Sequence, residues 1–378
     1  MDKSEIKITK NDVLKGISGR TYLDDITFDG KDCFPEAFHE YNVSGSVCDF
    51  FNEELDFGEH VFDKCVFKSM DLRKWHLRSA SFYSCYFEDC LFPKDLERIT
   101  VNNCQFKNMD FSGSNVENLS FYGCKFEDVS FASSEISSCN FSECILERCS
   151  FEKIRQDCKN VFQKCSFTGI NFSKSSIPRI HLLDCAEFVD VDFSGSELTS
   201  AVLSGISAGG ETKVRFDNAV LATTNFEKSH FFENAFQNTV LDRTVFSGSV
   251  FNKMEFKGQN LSKVWFDGCN IKDCLFEGCN MYGAKMNEAT LSNVRFVKID
   301  GTGIFAQKSV MKGCDFLQSN LDYMDLSYAQ LMGCNFRNCS MNGMTRHDFK
   351  GEKSFFESCS LKNVLDKDQD LYDAEHFY

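Results

Sequence analysis

Three cysteines, Cys269, Cys274 and Cys279, stand five residues apart in the stretch CNIKDCLFEGCNMYGAKM. Thiols so spaced have three uses: ligating a soft metal, forming disulfides, or filling space. Zinc centres are built on chelating pairs such as C-x2-C, and none of the 20 cysteines of the chain forms one. At 205–213, GISAGGETK sets Gly205 and Gly210 at phosphate-loop spacing, but Glu211 stands where the motif demands lysine. A carboxylate there repels phosphate, so a turn is expected instead. The histidines (His39, His60, His76, His181, His230, His347 and His376) are scattered. His347 adjoins Asp348, yet no serine or cysteine nucleophile can be matched to them, and a surface position is expected. No catalytic, cofactor-binding or metal-ligating residue is assigned.

The elements that carry these residues follow one rhythm. Between Phe216 and Phe296 every fifth residue is apolar, seventeen times in succession, and the phase resumes at Met311. Similar runs span Phe57 to Phe92 and Phe106 to Phe151, and 30 of the 41 phenylalanines sit on such a centre. A period of five fits neither a helix nor a flat strand; it fits a chain that turns a corner every five residues. The centre and the residue two before it then point inward, and the latter should be small. Sixteen of the 20 cysteines occupy that slot, where a thiol serves as a compact hydrophobe. Cys269, Cys274 and Cys279 are thus expected buried and reduced on successive faces of one coil. Cysteines twenty apart should stack, as Cys104, Cys124 and Cys144 do in this register.

The pattern, seen in SNLDYMDLSYAQLMGCNF (319–336) and its Phe-rich form CKFEDVSF (124–131), resembles the pentapeptide-repeat family, whose unit is written A(D/N)LXX. The resemblance covers roughly residues 57–361. It implies an all-β fold, a right-handed quadrilateral parallel β-helix with N- and C-terminal caps and four units per coil. The 52 centres make about 13 coils, and at ~4.8 Å per strand a rod on the order of 60 Å. Residues 1–50 are expected to form an N-terminal cap, 51–361 the repeat solenoid, and 362–378 a C-terminal tail or capping helix. Irregular insertions are expected near 93–105, 204–213, 297–310 and 342–354, with one-residue bulges between Phe151 and Phe162 and between Leu182 and Phe193. A family C-terminal element that caps or dimerises implies a homodimer through that end.

A filled interior offers no deep pocket of the kind catalysis uses, so no enzyme and no cofactor is expected. Outward positions hold Trp265, Phe232, Tyr282, Tyr323 and Tyr328, and exposed aromatics of this kind are typical binding hot spots. Trp75 falls on a slot meant for a small residue. Some members of the family mimic DNA and occupy type II topoisomerases, and a net charge of −15 invites comparison. Residues 61–350, however, carry 32 Lys and Arg against 35 Asp and Glu, far short of a duplex with one phosphate per ~1.7 Å. No basic stripe for nucleic acid is present, and no run of 18 apolar residues spans a membrane. Twenty cysteines without an export signal point to a cytoplasmic setting, with delivery into another cell by an unseen signal left open. The leading expectation is a non-enzymatic protein-interaction scaffold of bacterial type, an effector among its forms. The alternative is a DNA-mimic protein that binds a type II topoisomerase (gyrase) and inhibits or protects it.

Overall fold

The structure is a computed structural model and describes residues 22–24, 27–29, 55–59, 61–156, 159–185, 187–233, 235–367 and 372. Each five-residue unit is a strand triplet or a single-bridge turn around the centre, one left-handed residue, and one small inward residue. The left-handed residue stands two places past most centres, as in Lys253 (φ 54°), Gly258 (φ 64°), Lys263 (φ 55°), Gly268 (φ 65°) and Asp273 (φ 54°). That conformation turns the chain at every corner, and it explains the Gly, Asn, Asp, Ser and Lys residues at this position. Gly and Asn enter it most readily. Four corners close a coil, so residues twenty apart pair in parallel, as Asn270–Lys272 does with Thr290–Ser292. The ladders satisfy the backbone between neighbouring turns.

Two compact units make up the chain, Met1–Asp192 and Phe193–Tyr378. The first contains two eight-stranded parallel sheets and a three-stranded one at Asp95–Glu97, Asn115–Glu117 and Glu135–Ser137. The second contains an eight-stranded and a six-stranded parallel sheet, with rows of single parallel bridges completing its other faces. Both are parallel β-solenoids. Their interiors are ladders of centres: Phe256, Phe276, Phe296, Phe316 and Phe336 stack with ring centroids 4.8, 5.0, 4.5 and 4.5 Å apart. The strand spacing itself imposes this parallel stacking, and edge-to-face contacts such as Phe266 with Phe276 join adjacent faces.

Several expectations change. The segment 93–105 does not loop out. Asp95–Glu97, Thr100–Asn102 and Gln105–Lys107 are ordinary strands, and the chain omits one residue at Pro93, so Thr100 pairs with Ser81 rather than with its twentieth neighbour. The same omission accounts for Trp75. Lys94, the residue stacked on it, turns to solvent, and the buried Trp75 ring takes the room, 4.5 Å from the Phe57 ring. Residues 297–310 neither loop out nor dent the core. Gly301 and Ala306 are small centres, but Ile299 and Ile304 fill the slots normally left to small residues, and a Cβ on Gly301 would lie 2.7 Å from Ile304 Cδ1. Large and small have exchanged places.

The first 50 residues supply strands as well: Tyr22–Asp24 pairs with Val61–Asp63, and Thr27–Asp29 with Val66–Lys68. The other residues of the expected cap, and all but Tyr372 of 368–378, lie outside the described residues. At 204–213 a 3-10 turn, Gly210–Thr212, accommodates the extra residues. Residues 342–354 keep the register, with Lys350–Glu352 paired to Gln330–Met332. Among the described residues no helix is long and apolar enough to cross a membrane.

Candidate functional site

Every twentieth residue of a solenoid forms a column, and two neighbouring columns of the second unit build one feature. The row just before the centres runs Val245, Trp265, Lys285, Phe305 and Asp325, joined by parallel bridges. The adjoining left-handed corner runs Arg243 (φ 56°), Lys263, Gly283, Gly303 and Tyr323 (φ 62°). Between them lies a groove of about 730 Å³, lined also by Thr223, Tyr282 and Thr302. Its aromatic residues stay half open: Trp265 is 41% exposed, Phe305 45%, Tyr282 50% and Tyr323 69%.

The backbone around the groove is held by polar side chains. Asn280 Oδ1 accepts from the Tyr282 N–H at 3.1 Å, Asp300 Oδ1 from the Thr302 N–H at 3.2 Å, and Asn320 Oδ1 from the Asp322 N–H at 3.2 Å. Asn320 Nδ2 donates to Thr302 Oγ1 at 2.8 Å. Local bonds of this kind fix a turn. Gly283 and Gly303 leave the floor flat, and nothing lies within 4 Å of the place a Gly303 Cβ would take. Tyr323 is bulky for a left-handed position; Gly343 makes room, since its missing Cβ would lie 2.7 Å from the Tyr323 ring.

Charge in the groove is one-sided. Arg243, Lys263 and Lys285 line it and no carboxylate does. Arg243 is partly neutralised by Asp242 at 3.6 Å. Lys285 Nζ lies 3.9 Å from the centroid of the Trp265 ring, a cation–π contact. Among the described residues Lys263 and Lys285 form no ion pair.

Of the five aromatics read from the sequence, Trp265, Tyr282 and Tyr323 meet in this groove. Phe232 does not: it is half-buried on the strand His230–Phe232, against Gly210 of the inserted turn. Tyr328 is also elsewhere, half-buried with its ring 5.2 Å from that of His347. His347 itself is buried rather than at the surface, because the corner of Tyr328 covers it. Phe305 and the three cations escaped the pentapeptide reading. The signal that finds them is the twenty-residue column, which sets 245, 265, 285 and 305 side by side.

The other chemistry-bearing residues are structural. All seventeen described cysteines are free thiols. Cys269 Sγ donates to the Phe246 carbonyl at 3.0 Å, Cys274 Sγ to that of Lys272 at 3.1 Å, and Cys279 Sγ to that of Phe256 at 3.3 Å. Burial pushes Cys269 up to about 12 and Cys274 up to about 11, and raises Cys279, so these thiols are poor nucleophiles at neutral pH. In the first unit Cys65, Cys85, Cys104, Cys124, Cys144, Cys165 and Cys185 follow one another at single-turn intervals along the sheets. No group of three His, Cys, Asp or Glu suited to a metal occurs among the described residues. In the 205–213 turn, a Cβ on Gly209 (φ 86°) would fall 2.1 Å from the Phe232 carbonyl oxygen, so glycine is required by close packing.

This geometry defines a repeat solenoid that carries a surface groove and shows no catalytic constellation among its described residues. A family model for pentapeptide repeats matches residues 260–296 and 307–338, in eight copies, so this part of the second unit is similar to the pentapeptide-repeat family. Comparison with curated proteins gives no significant match. Among solved structures the chain is similar to HetL, a pentapeptide-repeat protein involved in heterocyst differentiation regulation from the cyanobacterium Nostoc. The identity is 14%, with 70% of this chain and 88% of that one covered and a TM-score of 0.21. It is also similar to QnrB1, a plasmid-mediated fluoroquinolone resistance protein, at 11% identity, covering 74% and 96%, with a TM-score of 0.19. A third, the pentapeptide-repeat protein Rfr23 from the cyanobacterium Cyanothece, is 13% identical, covering 32% and 90%, with a TM-score of 0.14. At these values none of them bears on what this chain binds.

Proposed function

We propose that this protein is a non-enzymatic protein-binding scaffold whose docking surface is the aromatic and cationic groove of its second unit. One observation carries the reading: Trp265, Tyr282, Phe305 and Tyr323, on separate repeats, converge on a single open groove between Lys263 and Lys285. Trp, Tyr and Arg dominate the energetics of protein interfaces, and a ladder-bonded backbone presents them with little ordering cost on binding.

The topoisomerase alternative draws less support. In the first unit several carboxylates face basic partners: Glu127 and Asp128 meet Arg148 at 2.7 Å, Glu147 meets Lys125 at 3.1 Å and Glu97 meets Arg78 at 3.0 Å. A surface that neutralises its own acids is a poor copy of a phosphate backbone. Two assays decide the matter. Partner capture should be lost on Trp265→Ala and kept on Tyr328→Phe, and partners kept by both variants would overturn the docking reading. In a gyrase supercoiling assay the protein should have no effect at micromolar concentration; inhibition or protection there would restore the mimic.

A further inference from the structure

We infer that the groove takes an extended, acidic peptide segment of about six residues, bearing an aromatic or large aliphatic side chain; this rests on the docking reading above. Charge is the first ground. Three cations and no carboxylate line the groove, so it is a positive site within a stretch, 61–350, whose 32 Lys and Arg otherwise nearly balance 35 Asp and Glu. The acids that border its far end are tied to their own turns. Asp322 Oδ1 accepts from Ser340 Oγ at 2.5 Å and from the Asn342 N–H at 2.7 Å, and Asp325 accepts from Gln307 Nε2 at 2.6 Å and the Ser327 N–H at 2.9 Å. Lys263 and Lys285 have no ion-pair partner among the described residues and are open to an anion from outside.

Shape is the second ground. From Arg243 to Tyr323 the corner climbs four turns, ~19 Å at the strand spacing, which an extended chain covers in about six residues. The two consecutive glycines, Gly283 and Gly303, let a peptide backbone lie against the corner, as side chains there would not. Lys285 already covers one face of Trp265. A sugar ring or a nucleobase stacking there must displace the ammonium, whereas a peptide carboxylate joins it and an adjacent apolar side chain meets Phe305 and Tyr282.

The test uses the intact chain and its own fluorescence. Only two tryptophans are present, and Trp75 is buried in the first unit, so a change in emission reports on Trp265. The probes are a hexapeptide of four aspartate and glutamate residues with one phenylalanine and one leucine, and its asparagine/glutamine counterpart. We expect the acidic probe to shift the emission saturably at low salt. Its affinity should fall at least tenfold when the salt is raised to a few hundred millimolar and at least tenfold on Lys263→Glu. Gly303→Asn, which suits a left-handed corner but fills the floor, should abolish the shift with the melting temperature unchanged. Equal binding of the neutral probe overturns the acidic occupant and leaves the docking reading standing. No response to either probe overturns the inference. The docking reading itself fails only if partner capture survives Trp265→Ala.

Discussion

At the scale of single residues, most groups that looked reactive are packing elements. Cys269, Cys274 and Cys279 are buried and donate to main-chain carbonyls. Replacing each with alanine should cost about 1 kcal/mol of stability and leave partner capture unchanged, as thermal melting and a pull-down will show. In the native protein none of the three should react with a thiol reagent until the chain is denatured. Gly301 is the more sensitive position. Gly301→Ala puts a methyl 2.7 Å from Ile304 Cδ1 and 3.0 Å from Leu321 Cδ2, and overpacking of this kind costs about 1–3 kcal/mol. A Gly301→Ala variant that melts as the wild type does would show that the exchange of large and small residues in this coil is not tight.

At the scale of the repeat, the five-residue rhythm made the fold legible, because burial of the centres and the left-handed corner recur in every unit. What it hid were the places where one coil differs from the next. Pro93 shortens a coil by one residue, and its neighbours Leu96 and Val101 still occupy centres, but the phase shift disguised them as a loop. Leu23 and Phe28 are paired with Phe62 and Phe67, yet two units are too short a run to establish a phase. The groove was half legible for a similar reason. Exposure of Trp265, Tyr282 and Tyr323 follows from their place within one unit, whereas their convergence with Lys285 and Phe305 depends on the stacking of four. Tyr323 invites a direct measurement, since a bulky residue in a left-handed corner is strained. Tyr323→Asn should raise stability by about 1 kcal/mol and weaken partner binding. If it stabilises without loss of binding, Tyr323 is not part of the docking surface.

At the scale of the whole molecule, the thiol-rich interior makes stability depend on alkaline pH. Burial pushes Cys139 up to about 11 and Cys149 up to about 12, as it does for Cys269 and Cys274. In the unfolded chain a thiol ionises at about pH 8.5, so above that pH unfolding releases protons and the native state loses ground. The contribution is complete below about pH 8.5 and is lost as pH climbs toward 11–12, at about 1.4 kcal/mol per thiol per pH unit. The melting temperature should therefore fall by several degrees between about pH 8 and pH 10, and less in a Cys139→Ala/Cys149→Ala protein. A flat profile would contradict burial of these thiols. The twenty-residue coil has a different consequence for the groove. Because each turn adds one step to every column and alters none of the others, the length of the binding surface is an integer. Duplicating one complete turn after Gly303 would lengthen the site by a single ~4.8 Å step, whereas inserting nineteen or twenty-one residues would carry Tyr323 to another position on the coil. Selection on such a protein can lengthen or shorten the segment it recognises in whole turns, without redesigning the contacts already in place.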